Sequence, residues 1–327
     1  MRKIPPTLIR KAAMLFGCPD DPQYLAGGHR WSDGTVYYHP ACNLMLKIME
    51  ESDDSAFPAF SLRLQFARYL SERGINCLCP TLSIRQNPVE RLDEDGHSYL
   101  CYAWPRIEGH TLQDLHPDAL RPFYQAWGKT LGKCHKLARE YPIWHESSNP
   151  EAAAVCRAVE EHTLAAMNPD EQVRQSWHQI HRHLDARIAD RHNHGFIHND
   201  AHPQNIIQQG NTLSLLDFDV AGLHFFATDV AICIYSEYSR LGFHSKHKVA
   251  RSKLQSLFLE PFVEAYLSEY SLPDNELKDM ELFLNYRRMI MFTVFYEQIR
   301  KADPGYLEVF KGEILNSEPF LKGIALG

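Results

Sequence analysis

This 327-residue sequence lacks an excess of positive charge, a long apolar run and the pattern of a signal peptide, and each absence excludes a class of protein. The formal net charge is −7, whereas a general nucleic-acid binder presents a positive face to phosphate. The mostly apolar run at residues 289–296 is far shorter than the roughly 20 residues of a membrane-spanning helix. The first residues are charged and contain prolines, so no signal peptide is predicted. We therefore expect a cytoplasmic protein that binds neither nucleic acid nor a membrane.

The eight cysteines show neither the paired spacing of a zinc site nor the density of a disulfide-stabilised domain. Most of them lie in apolar surroundings, which predicts small core residues in a reducing compartment. No internal repeat or low-complexity tract is present. The cysteines therefore indicate neither a metal nor a disulfide framework.

The most informative segment is residues 198–219, which begins with the sequence His-Asn-Asp-Ala-His-Pro-Gln-Asn and ends with Asp-Phe-Asp. Asp200 and Asn205 must lie in a loop, because Pro203 between them excludes a regular helix or a central strand. Two strand-like runs, residues 206–209 and 212–216, then flank a Gly-Asn pair, which is typical of a β-hairpin.

The ends of such a hairpin return to the same place, so Asn205 and Asp217 are predicted to be neighbours. Amide and carboxylate oxygens are ligands that suit Mg²⁺. Phosphoryl transfer also needs a carboxylate that orients the attacking hydroxyl and accepts its proton. Asp200 suits that role, while Asn205 and Asp217 suit the metal. Asp219 is expected to be a further metal ligand or an acceptor for backbone donors in the turn.

Histidines at positions 192, 194, 198 and 202 alternate closely enough to suggest zinc. No cysteine pair or glutamate accompanies them at zinc-site spacing, so magnesium is favoured. His198 follows an apolar strand, and we expect a buried scaffold residue there rather than an acid or base.

The spacing of His198, Asp200, His202 and Asn205, followed by the sequence Leu-Asp-Phe-Asp, resembles the aminoglycoside phosphotransferase and choline kinase superfamily. Residues 229–232 and 43–48 resemble, respectively, the helix after the family's metal loop and the strand with its phosphate-binding lysine. The sequence around the site is similar to that of bacterial kinases related to homoserine kinase and to stress-response kinases. The resemblance implies an α+β, bilobal protein-kinase-like fold, with an N-terminal antiparallel sheet and one helix before a larger, mainly helical lobe. It also implies ATP, or GTP, as the phosphate donor.

Lys47 follows three apolar residues, so its strand is at least half buried. A buried strand contains a lysine where an anion meets it, and a nucleotide phosphate would serve. The alternative is an edge-strand lysine whose amino group reaches water.

The resemblance places a glutamate partner for this lysine on the next helix. The helix predicted over residues 57–73 offers Arg63 and Gln65 there instead. Either another acidic residue pairs with Lys47, the candidates being Glu50, Glu51 and Asp54, or the lysine is bound by a different group.

Further nucleotide contacts are predicted at Ser32 and Gly34, in a glycine-containing hairpin whose backbone donors could lie over phosphates. Most Gly-Gly pairs are simple turns, so this signal is weak alone. Trp104 ends a strand-like run whose backbone could bind an adenine edge. Its side chain is expected either in the nucleotide pocket or in ordinary packing between lobes.

The length predicts two domains. We assign residues 1–105 to an N-terminal nucleotide-binding lobe and residues 106–327 to a C-terminal catalytic and acceptor-binding helical lobe. The predicted function is ATP- and Mg²⁺-dependent phosphate transfer to a hydroxyl of a small molecule. A protein serine/threonine kinase and a catalytically silent nucleotide-binding regulator are the alternatives. The acceptor and the oligomeric state stay open; Arg287 favours an anionic acceptor, although helix-surface arginines are commoner.

Overall fold

The computed structural model describes residues 4–19, 26–31, 34–51, 56–142, 167–168, 170–243 and 251–321. The strands are β1 (Ala26–Trp31), β2 (Gly34–His39), β3 (Leu44–Glu50), β4 (Glu90–Glu94), β5 (His97–Pro105), β6 (His194–Ile197), β7 (Ile206–Gln209), β8 (Thr212–Leu215) and β9 (Gly222–Phe225). The helices are α1 (Pro6–Leu15), α2 (Ala56–Glu72), α3 (Pro117–Ala138), α4 (Glu171–Asp185), α5 (Phe226–Tyr238), α6 (Arg251–Leu254), α7 (Glu260–Leu267), α8 (Asp274–Lys278), α9 (Met280–Ala302) and α10 (Pro304–Leu315).

The chain divides into two compact units. The first unit contains Met1–His110 and Ile207–Val220, and the second contains Thr111–Ile206 and Ala221–Gly327. The expected α+β organisation, an antiparallel sheet followed by a mainly helical part, is confirmed. The units do not follow a single cut in the chain, and the functional division at residue 105 stays a prediction.

In the first unit, five antiparallel strands form a sheet in the order β1-β2-β3-β5-β4. β3 is internal, and its residues from Leu46 to Met49 are buried in succession, as expected for a strand covered on both faces. In the sheet register Lys47 lies opposite Val36 on β2 and Tyr102 on β5. Helix α2 is confirmed within one residue of its predicted bounds.

The predicted hairpin is present as the two-stranded sheet of β7 and β8. Backbone hydrogen bonds join it to the rest of the first unit. The Leu78 amide donates to the Leu215 carbonyl at 2.7 Å, and the His110 amide donates to the Gln208 carbonyl at 2.8 Å. These bonds explain why the hairpin belongs with the N-terminal sheet although it lies far along the chain.

In the second unit, α3 buries one face at three- and four-residue steps, as its apolar periodicity requires; the buried positions include Phe123, Trp127, Leu131 and Cys134. Helix α4 begins at Glu171. Its N-cap is Asp170, whose carboxylate accepts from the amides of Gln172 and Val173.

The apolar run at residues 289–296 lies inside α9, and it is buried on one face only. Met289 and Phe292 are buried, whereas Val294 and Phe295 are 47% and 40% exposed. The run therefore belongs to a helix that packs on one face, although its sequence is apolar on all sides. None of the described helices has the length and apolar character needed to cross a membrane.

Helices α3 and α7 approach closely because α3 carries glycines at the contact. A Cβ atom on Gly128 would lie 2.1 Å from the Phe262 carbonyl oxygen, and one on Gly132 would lie 2.7 Å from that of Tyr266. Backbone atoms of a packed helix cannot move aside cheaply. The two glycines therefore set the distance between these helices.

Replacing Gly128 by alanine is expected to lower the free energy of unfolding by about 2–3 kcal/mol through overpacking. Gly312 in α10 is a matched control, since a Cβ there meets no described atom within 4 Å outside its own helix backbone. Gly312→Ala is expected to raise stability by up to about 1 kcal/mol, because alanine is the better helix former. Denaturant unfolding measures both changes, and equal effects would contradict the close approach.

Candidate active site

The loop after β6 in the second unit is held by a buried carboxylate, Asp229 at the start of α5. Its two oxygens accept the backbone amides of His198, at 2.9 Å, and Asn199, at 2.7 Å. Asn199 has a left-handed backbone, with φ of 63°, which asparagine tolerates better than most residues. His135 Nε2 lies 3.2 Å from Asp229 Oδ2 and so also contacts this carboxylate. The loop conformation is thus fixed by side chains outside it.

Asp200 lies in this loop, and three side chains contact its carboxylate. Arg287 Nη2 donates to Oδ1 at 2.7 Å, and Asn205 Nδ2 donates to Oδ2 at 3.3 Å. His202 Nε2 lies 3.2 Å from Oδ2. The Gln204 amide donates to His202 Nδ1, so Nε2 carries the ring proton and donates to Asp200.

His198 is buried, and its Nδ1 accepts the Asp200 amide at 3.3 Å. This geometry agrees with a scaffold position under the loop. His202, by contrast, contacts the Asp200 carboxylate itself, which its place in the sequence did not indicate.

The pKa of Asp200 is well below its usual range. Burial would raise this pKa, but the positive charge of Arg287 and the hydrogen bond from His202 outweigh burial and favour the ionised form. Asp200 therefore stays a carboxylate throughout the neutral range, and its oxygens are acceptors only. That state can orient a hydroxyl group.

The sequence favours an anionic acceptor beside Arg287, with an exposed position on the helix surface as the commoner alternative for an arginine. It is only 8% exposed in the structure, and its guanidinium contacts Asp200. The surface expectation is wrong. Its position in a helix 87 residues away along the chain gave no local signal for this contact.

Replacing Arg287 by glutamine is expected to lower the free energy of unfolding at neutral pH by about 2–4 kcal/mol, because it leaves a partly buried carboxylate without its charge partner. In the wild type the lowered pKa stabilises the fold above the unfolded-state pKa of about 4, and this contribution is lost as pH falls through the folded-state pKa. The stability difference between wild type and variant is therefore largest at neutral pH and narrows below about pH 4.

Urea unfolding at a series of pH values measures this difference. Arg300→Gln is the matched control, since Arg300 lies on the same helix, half exposed, and pairs with Glu297. A pH-independent difference for Arg287→Gln would contradict the charge pairing with Asp200.

The first unit contains the second group of candidate residues, centred on Lys47. This lysine is 3% exposed; its Nζ forms an ion pair with Asp219 and lies 3.5 Å from Asp217 Oδ1. The Tyr102 hydroxyl, opposite Lys47 in the sheet, donates to Asp219 Oδ1 at 2.6 Å. The alternative of an edge lysine with its amino group in water is therefore wrong.

The acidic partner of Lys47 is Asp219 rather than a residue near the start of α2. Glu50 lies 3.1 Å from His97, and Glu51 accepts two hydrogen bonds from Arg91. The remaining candidate, Asp54, lies outside the described residues.

On α2, Arg63 donates to the backbone carbonyl of Asp219. Where the resemblance places a glutamate, this helix therefore has an arginine, which contacts the turn that contains Asp219. Asp219 is 5% exposed; its pKa is raised by burial, against the lowering effect of Lys47.

The position of Asp217 suits a residue that ligates a cation. Its backbone is left-handed, with φ of 58°, and Phe218 beside it is buried with its ring edge-on to Phe66 at 6.3 Å. Oδ1 of Asp217 is buried and accepts no hydrogen bond from any residue that the structure describes. Its neighbouring cation is the Lys47 ammonium, 3.5 Å away, and an oxygen with only this distant partner keeps lone pairs that a metal ion can take.

Of the other candidates, Ser32 lies outside the described residues. Gly34 begins β2 and pairs with Trp31 of β1. Trp104 is 9% exposed, and its ring stacks on Tyr102 with centroids 5.2 Å apart. This stack agrees with a packing role for Trp104, and its place in nucleotide binding stays a prediction.

Solved structures of kinases share this fold. An amicoumacin kinase in complex with AMP-PNP, Ca²⁺ and Ami superposes with a TM-score of 0.81 at 21% identity, covering 97% of this chain and 95% of that one. A microcompartment-associated aminopropanol kinase gives a TM-score of 0.67 at 14% identity, covering 98% and 99% of the two chains. The protein-kinase-like fold is therefore confirmed.

Residues 39–276 match the profile of the phosphotransferase enzyme family, and the chain belongs to that family. The chain is therefore a phosphotransferase. A curated relative, the amicoumacin kinase of Bacillus subtilis (strain 168), is 23% identical over 267 residues, or 78% of this chain and 76% of the relative. The resemblance to aminoglycoside phosphotransferases and choline kinases is confirmed.

Proposed function

We propose that this kinase transfers the γ-phosphate of ATP to a hydroxyl group of a small molecule, with Asp200 as the base. The observation that carries this proposal is the set of three donors around the Asp200 carboxylate, from Arg287, His202 and Asn205. They hold an ionised carboxylate in one orientation. Phosphoryl transfer has a loose transition state, so orienting the hydroxyl matters more than a high proton affinity of the base.

Asn205 and Asp217 are the proposed metal ligands. The Asn205 amide nitrogen donates to the Asp200 carbonyl at 3.0 Å, so the amide oxygen is the atom left for a cation. Asp217 offers its buried Oδ1. The bound ion would neutralise charge on the phosphates. We propose Mg²⁺, although Ca²⁺ accompanies the nucleotide analogue in the solved amicoumacin kinase.

Lys47 is the proposed phosphate-binding residue, and Asp219 is proposed to position it. Both Asp219 oxygens already accept, from Lys47 and from Tyr102. We therefore propose this positioning role for Asp219 in preference to the metal role predicted from the sequence. Ser32, Gly34 and Trp104 stay proposed nucleotide contacts.

For the acceptor we propose a hydroxyl-bearing antibiotic of the amicoumacin type. Support comes from the curated relative and from the solved amicoumacin kinase, which aligns over nearly the whole chain. An amino alcohol is the second candidate, since an aminopropanol kinase also shares the fold.

The test has two stages. Thermal unfolding is first measured with ATP or GTP, each with Mg²⁺, with Ca²⁺ and with no metal, because a ligand of the native state raises the melting temperature. ADP formation is then measured with amicoumacin, 1-amino-2-propanol and a general protein substrate. Metal-dependent stabilisation with turnover of amicoumacin supports the proposal.

Phosphorylation of the protein substrate alone would favour a protein kinase. Stabilisation by nucleotide without any loss of γ-phosphate would favour a silent regulator. Either result would overturn the proposed function, and turnover of the amino alcohol alone would overturn the proposed acceptor.

A further inference from the structure

A second group of potential metal ligands lies in the first unit, outside the residues proposed for phosphate transfer. Cys18 follows helix α1, His39 is the last residue of β2, and Cys42 is the last residue of the 3₁₀ turn Pro40–Cys42. One sulfur or ring-nitrogen atom from each lies within 4.8 Å of the other two. Among the described histidines, cysteines and acidic residues, this is the group that meets such a spacing.

The local sequence brings Cys18 to this place by ending α1 abruptly. Gly17 has a φ of 78°, a left-handed conformation that glycine adopts without strain. The Cys18 amide then donates back to the Ala13 carbonyl at 3.0 Å, as in a Schellman-type helix end. The side chain of Cys18 is only 6% exposed as a result.

A second tight turn places His39 and Cys42 together. The Asn43 amide donates to the Pro40 carbonyl at 3.2 Å, and Asn43 itself is left-handed, with φ of 51°. The chain therefore reverses between β2 and β3, and its His-Pro-Ala-Cys sequence presents both ligand types on one turn. His39 is 1% exposed, while Cys42 is half-buried.

We propose that Cys18, His39 and Cys42 bind one zinc ion, with water in the fourth position. Two thiolates and one imidazole are ligands that zinc prefers, and Zn–S and Zn–N distances of about 2.3 and 2.0 Å place such ligand atoms roughly 3.5–3.8 Å apart in a tetrahedron. The observed spacing is close enough for small side-chain rotations to reach that arrangement. Half-buried Cys42 leaves a path for the fourth ligand.

Both cysteines carry free thiols, so the ligands are chemically available. The ion would join the end of α1 to the connection between β2 and β3. Lys47 lies in β3. Its role would be to stabilise the first unit, and the proposal does not depend on the proposed transfer reaction. The sequence did not reveal the site because its two cysteines lie 24 positions apart (42 − 18) and only the fold brings them to the same histidine.

The experiment uses the full chain, stripped of metal with a chelator and kept reduced. Zn²⁺ binding is measured by competition with a chromophoric chelator in excess Mg²⁺, and Co²⁺ is used as a spectroscopic probe. We expect one equivalent of Zn²⁺, a sulfur-to-cobalt charge-transfer band, and a rise in melting temperature with Zn²⁺. The charge-transfer band distinguishes thiolate ligands from the oxygen ligands proposed for Mg²⁺.

Cys42→Ala and His39→Gln are expected to weaken Zn²⁺ binding more than about 100-fold, since loss of even an outer contact to a metal ligand costs 10- to 100-fold. Cys79→Ala is the matched control: Cys79 is also half-buried in the first unit but lies outside the group, and its loss should leave binding unchanged. Circular dichroism checks that each variant is folded.

No stoichiometric Zn²⁺ binding by the reduced wild type would overturn the proposal. Unchanged binding in Cys42→Ala, or loss of binding in Cys79→Ala, would overturn it as well. If mild oxidation links Cys18 to Cys42 while the reduced protein ignores Zn²⁺, the pair is a redox pair and not a zinc site.

Discussion

Replacing Asp200 by asparagine is expected to lower kcat by about 10²- to 10⁴-fold while leaving ATP affinity nearly unchanged. Asparagine keeps the shape of the side chain, and its oxygen still accepts from Arg287. It removes the negative charge that we propose orients the acceptor hydroxyl and takes its proton. Loss of an interaction that is made with the reacting hydroxyl only in the transition state lowers kcat, whereas loss of uniform substrate binding raises KM alone.

ADP release with a working acceptor gives kcat and KM, and nucleotide-induced thermal stabilisation gives a separate measure of ATP binding. Asp118→Asn is the control, because Asp118 lies at the exposed start of α3 in the same unit. Loss of nucleotide binding in Asp200→Asn equal to its loss of turnover would contradict the assigned role. A kcat within threefold of wild type would contradict it too.

The parts of this site that the sequence predicts are those encoded over short distances. Asp200 and Asn205 are five residues apart, and Pro203 forces a loop between them. The hairpin of β7 and β8 follows from a Gly-Asn pair between two strand-like runs. Strand, turn and loop signals act within a few residues, so one sequence is sufficient to read them.

The contacts that tune the site could not be predicted in the same way. Arg287 reaches Asp200 from a helix 87 residues further along the chain, and Lys47 meets Asp219 across 172 residues. Such contacts depend on how whole elements pack, and a helix-surface or turn residue carries no local mark of its distant partner. His202 shows the same limit at short range, because its ring direction is set by its hydrogen bond with the Gln204 amide.

The ion pair of Lys47 and Asp219 is expected to give the largest stability effect in the first unit. Both side chains are almost fully buried, so removing one leaves an uncompensated charge in a low-dielectric interior. Lys47→Met or Asp219→Asn alone should lower the free energy of unfolding by about 3–5 kcal/mol. The double variant should lose much less than the sum, because neither charge then stays buried alone.

The exposed pair of Lys11 and Glu94, in the same unit, is the control for this cycle. Lys11 is 55% exposed in its side chain, and water and salt screen a pair with such an exposed partner, so its contribution to stability is small. A double-mutant cycle by denaturant unfolding compares the two coupling energies. A coupling for Lys47 and Asp219 no larger than that for Lys11 and Glu94 would show that burial does not strengthen the pair.

The same variants separate phosphate binding from positioning. Lys47→Met should abolish the rise in melting temperature caused by ATP, because the charge that we propose binds the phosphates is gone. Asp219→Asn should reduce this rise and increase KM for ATP without abolishing binding, since Lys47 keeps its charge and still lies 3.5 Å from Asp217. Full ATP stabilisation of folded Lys47→Met would mean that Lys47 and Asp219 form a purely structural pair, and that the nucleotide phosphates are bound elsewhere.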